Sequence, residues 1–130
     1  NNAKSVKDLI LSGEKQGHLL YFCSNIVSFD FAKSLKFYGF RVTKINNYLV
    51  RPIDKLSQNI IENITHGQIK EVLIYSKNTA KILFNLLKQD NLLEYFDQTK
   101  LSCLSVKIAN HCRKLGFKNS QYDATLLAKL

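Results

Sequence analysis

The residues best placed to do chemistry stand where short apolar runs stop. Val72-Leu73-Ile74-Tyr75 runs into Ser76, Lys77 and Asn78. From Thr79 onward Ala80, Ile82, Leu83, Leu86 and Leu87 fall at helical spacing. The run is unbroken and partly β-branched, the pattern of a strand buried on both faces. Ser76 to Asn78 is then a corner between a strand's carboxyl end and a helix's amino end. In open parallel sheets ligands bind at such corners, and the N–H groups and dipole of the helix start favour anions. Two further strands end in serine, at Ser24-Asn25 and at Ser105.

Other chemistries lack their parts. Cys23, Cys103 and Cys112 are odd in number and show no CxxC spacing, so they read as reduced core thiols rather than a disulfide or zinc site. Only adjacency pairs His111 with Cys112. His18, His66 and His111 sit in unrelated contexts, so no metal site is expected. No carboxylate pair or Ser-His-Asp set argues for hydrolysis.

The net charge is +9, with 19 Lys and Arg residues, of which only Arg41, Arg51 and Arg113 are arginine. A solvated lysine surface and a general attraction for polyanions both fit. Nucleic-acid readers lean on arginine, and the aromatics here lie at core spacing, so no nucleic-acid partner is expected. The longest apolar run, Leu19 to Cys23, is too short to span a bilayer, and no signal segment opens the chain. The expectation is a cytoplasmic protein with no membrane partner. The chain starts at Asn1 and contains no Met, which reads as a fragment or processed form.

Positioning these corners takes alternating elements. A short helix within residues 1–16 precedes a buried strand at Leu19–Cys23. A helix over Ser28–Tyr38 closes at Gly39, a natural C′ residue, and a period-two strand follows at Phe40–Ile45. Asn46 to Pro52 is the one break in composition and reads as a linker, with Tyr48 in an extended setting. A helix from about Asp54 to His66 leads to the strand at 71–75 and its helix to about Gln89. Asn91 is placed to cap a short turn. A strand at Leu101–Ser105, a helix at Val106–Leu115, a strand at Phe117–Tyr122 and a terminal helix capped by Asp123 complete the chain. This order predicts parallel β-structure with helices on both faces. Leu35 to Arg41 is echoed by Cys112 to Lys118 as helix end, glycine, aromatic, basic.

The same order of parts resembles the uroporphyrinogen-III synthase family. The resemblance rests on Leu19–Asn25, the helix closing at Leu35–Gly39, the strand Val42–Tyr48 ending in tyrosine, Val72–Ser76, Leu101–Ala109 with Leu115-Gly116, and the closing Asp123–Leu127. The chain matches the carboxyl-terminal half of a member. It departs at Cys23-Ser24-Asn25, which lacks the family's glycine, and at Ser105 to Ile108, which lacks its paired threonines.

The resemblance implies flavodoxin-like parallel α/β lobes joined by an extended hinge. Residues 1–46 would end one lobe, 47–54 form the hinge and 55–130 form most of the other. It implies cyclisation of hydroxymethylbilane, a polycarboxylate tetrapyrrole, to uroporphyrinogen III, with inversion of ring D, loss of water and no cofactor. Tyr48 would assist the departing hydroxyl as a general acid. Ser24, Asn25, Ser76, Lys77, Ser105 and Lys107 would hold the substrate. Plainer roles stand beside these: a packing hinge tyrosine, helix caps and solvated lysines. The full-length protein is expected to be a monomer; this chain alone would be inactive and prone to self-association through open sheet edges. The competing reading is a basic α/β binding module, receiver-like or nucleic-acid-associated, although no acidic cluster sits at the strand ends.

Overall fold

A computed structural model of the protein describes residues 3–13, 17–27 and 29–129. The chain divides into two compact units, Asn1–Arg51 and Pro52–Leu130. The expected start of the second helix, at residue 28, lies outside the described residues. Parallel strands alternate with helices in both units, the α/β class that the sequence predicts.

In the first unit, α1 (Ala3–Leu11) precedes β1 (His18–Ser24), α2 (Phe31–Phe37) and β2 (Arg41–Tyr48). The two strands pair in parallel, with α2 as the crossover. The Asp30 carboxylate accepts the Lys33 N–H at 2.9 Å and so starts α2. Phe31, Ala32, Leu35, Phe40 and Val42 form the core, joined by Leu19 and Tyr21 from β1. Only one face of β1 is covered: Leu20 and Phe22 alternate with those residues and are 58% and 59% exposed. The expectation of a strand buried throughout is corrected here, because a pair of strands carries its helix on one side. β2 also runs further than expected. Asn46, Asn47 and Tyr48, read as the start of the linker, continue the strand, and the register slips so that Ser24 pairs with Tyr48.

In the second unit the order is α3 (Gln58–Thr65), β3 (Glu71–Ile74), α4 (Lys77–Gln89), a 3-10 turn (Leu93–Phe96), β4 (Lys100–Cys103), α5 (Val106–Leu115), β5 (Ser120–Tyr122) and a 3-10 turn (Leu126–Lys129). β3, β4 and β5 lie side by side and all parallel. Helix α3 starts at Ser57 rather than near Asp54. Leu56 and Ile61, just before the cap and one turn inside, pack on the same core and set the entry of the chain. Ile74, Leu101 and Cys103 meet Ala80, Leu87, Ala109 and Cys112 in one cluster, so α4 and α5 cover the same sheet face. The other face is polar at its edge. Glu71 lies 3.1 Å from Lys100 Nζ and accepts the Ser102 hydroxyl across the strands. Leu73, on that face, is 37% exposed. The expected burial of β3 on both faces, and helices on both faces of the sheet, are therefore corrected: β3 is an edge strand under a single helical layer.

Four helices end in one way. After α2, the Gly39 N–H donates to Lys36 O and the Phe40 N–H to Leu35 O. After α5, Gly116 donates to Arg113 O and Phe117 to Cys112 O. Gly67 and Gln68 do the same after α3, and Asn91 and Leu92 after α4. These are Schellman closures, each turning on a left-handed residue. The sequence echo of residues 35–41 and 112–118 is thus one physical device used twice. It also corrects two expectations. Asn91, at φ 54°, closes α4 instead of capping the next turn. Phe117 belongs to the closure, packed 6.1 Å from the Phe84 ring and 6.2 Å from Phe96, so β5 begins only at Ser120. The terminal helix is a short 3-10 turn preceded by Asp123, whose carboxylate accepts the Thr125 N–H at 2.9 Å. No helix among the described residues is long and apolar enough to cross a membrane.

Gly116 sits at φ 110° with open space where a Cβ would go. Gly116→Ala should therefore cost only the left-handed backbone term, about 1–2 kcal/mol, read as a lower urea midpoint at unchanged slope. The fully buried thiols give a second test. Cys103 Sγ donates to Cys112 Sγ at 3.8 Å, and burial pushes the Cys103 thiol from 9.0 to about 12 and the Cys112 thiol upward. The folded state thus holds the proton more tightly than the unfolded state. Stability from this pair should be complete below pH 9 and fall as pH rises towards 12. Alkylation at pH 8 should spare both cysteines until denaturant is added; rapid labelling of the native chain would contradict this burial.

Candidate functional site

In the second unit, two corners of the same construction stand at the carboxyl ends of neighbouring strands. Ser76 follows β3 and Ser105 follows β4, both with extended backbone (φ −150°, ψ 157° and φ −152°, ψ 157°). The Ser76 hydroxyl oxygen accepts the Thr79 N–H at 3.0 Å, and that of Ser105 accepts the Ile108 N–H at 3.3 Å. Ser76 Oγ also lies 2.8 Å from Thr79 Oγ1. Each serine is a helix cap, and the two parallel strands bring the two helix starts to one end of the sheet. This adds the positive ends of two helix dipoles.

Lys77 and Lys107 stand just inside those helix starts, and both line one open groove of about 390 Å³ between α4 and α5. Asn110, His111 and Lys114 complete it. Lys107, Asn110, His111 and Lys114 recur at the three- and four-residue spacing that puts side chains on one helix face. That spacing was readable in the sequence; the groove also needs Lys77 from α4, which only the packing supplies. The segments Lys77–Gln89 and Val106–Leu115 together contain Lys77, Lys81, Lys88, Lys107, Arg113 and Lys114 and no carboxylate. Arg113 is engaged inside the unit: it donates to Ser120 O and to Asn110 Oδ1, each at 2.5 Å. The lysines dominate the groove's charge. His111 faces it while Cys112 is fully buried in the core, so these neighbours form no reactive pair.

In the first unit the corner is different. Ser24 is buried, and its hydroxyl donates to the Ile26 carbonyl. Asn25 holds the chain beyond β2: its Nδ2 donates to Val50 O at 3.2 Å, and the Val50 N–H donates to Oδ1 at 2.7 Å. Both side chains spend their polar groups on the backbone. Tyr48, paired with Ser24 in the sheet, is 59% exposed and lines a concavity of about 310 Å³ with Tyr21, Phe22 and Phe29. Tyr21 stacks at 5.3 Å from the Phe31 ring; burial foremost, then Cys23, Asp30 and Tyr48, raises its phenol above the usual tyrosine value. It remains a neutral phenol at pH 7. Tyr48 and Ser24 thus meet in one place, as do Lys77 and Lys107 in the other unit. Among the described residues no group of three or more His, Cys, Asp or Glu side chains is placed to hold a metal ion.

A model of the family described as uroporphyrinogen-III synthase HemD matches residues 1–125. An uncharacterised protein of Rickettsia prowazekii (strain Madrid E) is 43% identical over 51 residues, a stretch that is 39% of this chain and 19% of that protein. Parallel strands with capped corners at their carboxyl ends agree with that match over nearly the whole sequence, and the chain belongs to the uroporphyrinogen-III synthase HemD family.

Proposed function

We propose that the protein takes part in tetrapyrrole synthesis as a uroporphyrinogen-III synthase, cyclising hydroxymethylbilane with inversion of ring D and loss of water. The observation that carries this reading is the pair of serine-capped helix starts with Lys77 and Lys107 on one cationic groove. A substrate that bears carboxylates on every ring needs several dispersed positive anchors. Lysines and helix amino ends supply them without the planar fork of arginine.

The reaction needs positioning more than a reactive group. The unassisted chain closes without inverting its last ring, so the enzyme must hold the ends in the arrangement that favours the spiro route. Ser76 and Ser105 offer helix starts to substrate carboxylates, and Lys77 and Lys107 add charge. Ser24 and Asn25 act at one remove: they hold the turn after β1 and the chain at Val50. Tyr48, exposed at the end of β2, is the proposed general acid that protonates the leaving hydroxyl. Loss of water leaves oxidation states unchanged, so the step calls for no redox cofactor. The stretch beyond β2, residues 49–54, serves as the hinge between the two lobes. The working form is a cytoplasmic monomer.

The test is the product isomer. Hydroxymethylbilane generated enzymatically should be converted to the type III isomer by the full-length protein, read by chromatography of the oxidised products. An unchanged excess of type I would remove the enzyme reading. In that assay Tyr48→Phe should lower kcat about a hundredfold or more with KM little changed; a wild-type rate would leave Tyr48 a hinge residue. Lys77→Gln with Lys107→Gln should raise KM roughly three- to tenfold and flatten its salt dependence at near-constant kcat. An unchanged KM would place the carboxylates elsewhere.

A further inference from the structure

The two kinds of corner differ in what they offer a ligand, and the difference carries a sharper assignment. We infer that the concavity at the carboxyl ends of β1 and β2 is a subsite for a flat, electron-rich ring of the substrate and not for its carboxylates; the inference rests on the tetrapyrrole reading above. Four of the residues lining it are aromatic: Tyr21, Phe22, Phe29 and Tyr48. None of the described residues that line it is charged. The two polar side chains that the sequence assigns to anion binding here are already committed, Ser24 to Ile26 O and Asn25 to Val50. A carboxylate entering this hollow would lose hydration with no charged group to compensate, which is unfavourable.

An aromatic ring fits the same surface. Phe22 and Tyr48 are both 59% exposed and Phe29 is 40% exposed, although the core of this unit is built from other residues. Large apolar side chains left open around a hollow, at the end of a parallel sheet where ligands bind, are the usual wall of a small-molecule site. A pyrrole presents a negative face and a positive N–H edge, and the phenyl and phenol rings can meet either in offset or edge-to-face contact. Tyr48 then has two separable functions, a ring of the wall and an acid at its tip. Phe22 and Phe29 are positioning residues for the ring. The lysine groove of the other unit has the opposite character: its described lining residues carry positive charge and include no Phe, Tyr or Trp.

The probes are uroporphyrin I, a carboxylated pyrrole macrocycle, and butanetetracarboxylate, which has carboxylates and no ring. The full-length protein is titrated with each and followed by ring-proton and amide NMR. Uroporphyrin should produce ring-current shifts at Phe22, Phe29 and Tyr48, while butanetetracarboxylate should move only residues of the Lys77–Lys107 groove. Phe22→Leu, at an exposed position, should weaken porphyrin binding about three- to tenfold and leave butanetetracarboxylate binding unchanged. Tyr48→Phe keeps the ring and should bind porphyrin as wild type does, whereas Tyr48→Leu should not. Equal shifts at the aromatic residues with both probes, or porphyrin shifts confined to the groove, would overturn the assignment. These readouts need no turnover. A protein that yields only the type I isomer yet shows the ring-current shifts would lose the enzyme reading and keep the subsite.

Discussion

The fold depends on a helix being stopped and its chain returned towards the next parallel strand within two residues. A left-handed residue makes this reversal after α2, α3, α4 and α5, at Gly39, Gly67, Asn91 and Gly116. In each case two otherwise orphaned carbonyls gain donors. The residue after the reversal is apolar in three of the four (Phe40, Leu92 and Phe117) and is buried, so the closure also plants an anchor in the core. Parallel pairing demands such returns, since each strand must start again from the same edge of the sheet. Because the strands of each unit run parallel, their carboxyl ends lie at one end of its sheet, and the corners carrying Ser24, Ser76 and Ser105 fall at equivalent places in their units.

Those corners share a position and differ in chemistry. Ser76 and Ser105 satisfy one N–H each and sit under two basic helices, so the environment they build is cationic. Ser24 turns its hydroxyl inward, and Asn25 is bound to Val50, so the surface left at that corner is the aromatic one. One topological rule thus produces a cationic corner and an aromatic one, depending on what the side chains beside the corner already satisfy.

How much of this could be read from the residues follows how local each feature is. The serine caps at Ser76 and Ser105 and the reversals at Gly39 and Gly116 were legible because each is set by a few consecutive residues. Asn91 was misassigned because asparagine suits both an N-cap and a left-handed closure, and only the Leu92 to Leu87 hydrogen bond decides between them. Phe117 resembled a strand residue because an aromatic serves equally in a strand and in the anchor after a helix. The open faces of β1 and β3 could not be inferred from composition, since Leu20 and Leu73 are as apolar as their covered neighbours. Exposure there depends on which elements lie alongside. The groove required α4 beside α5, and the commitments of Ser24 and Asn25 required distances.

The slip in pairing between Cys23 and Ser24 gives the length of β2 a meaning of its own. Asn46 pairs with Cys23 and Tyr48 with Ser24, so β2 spends one residue more than β1 across this step. Side chains alternate along a strand, and losing a single residue between Val42 and Tyr48 would carry the tyrosine off its place beside Ser24. The stretch that follows, from Leu49 to Ser57, contains no helix or strand and is under no such parity rule. Insertions and deletions should therefore be absorbed after Tyr48 and disrupt the pairing before it.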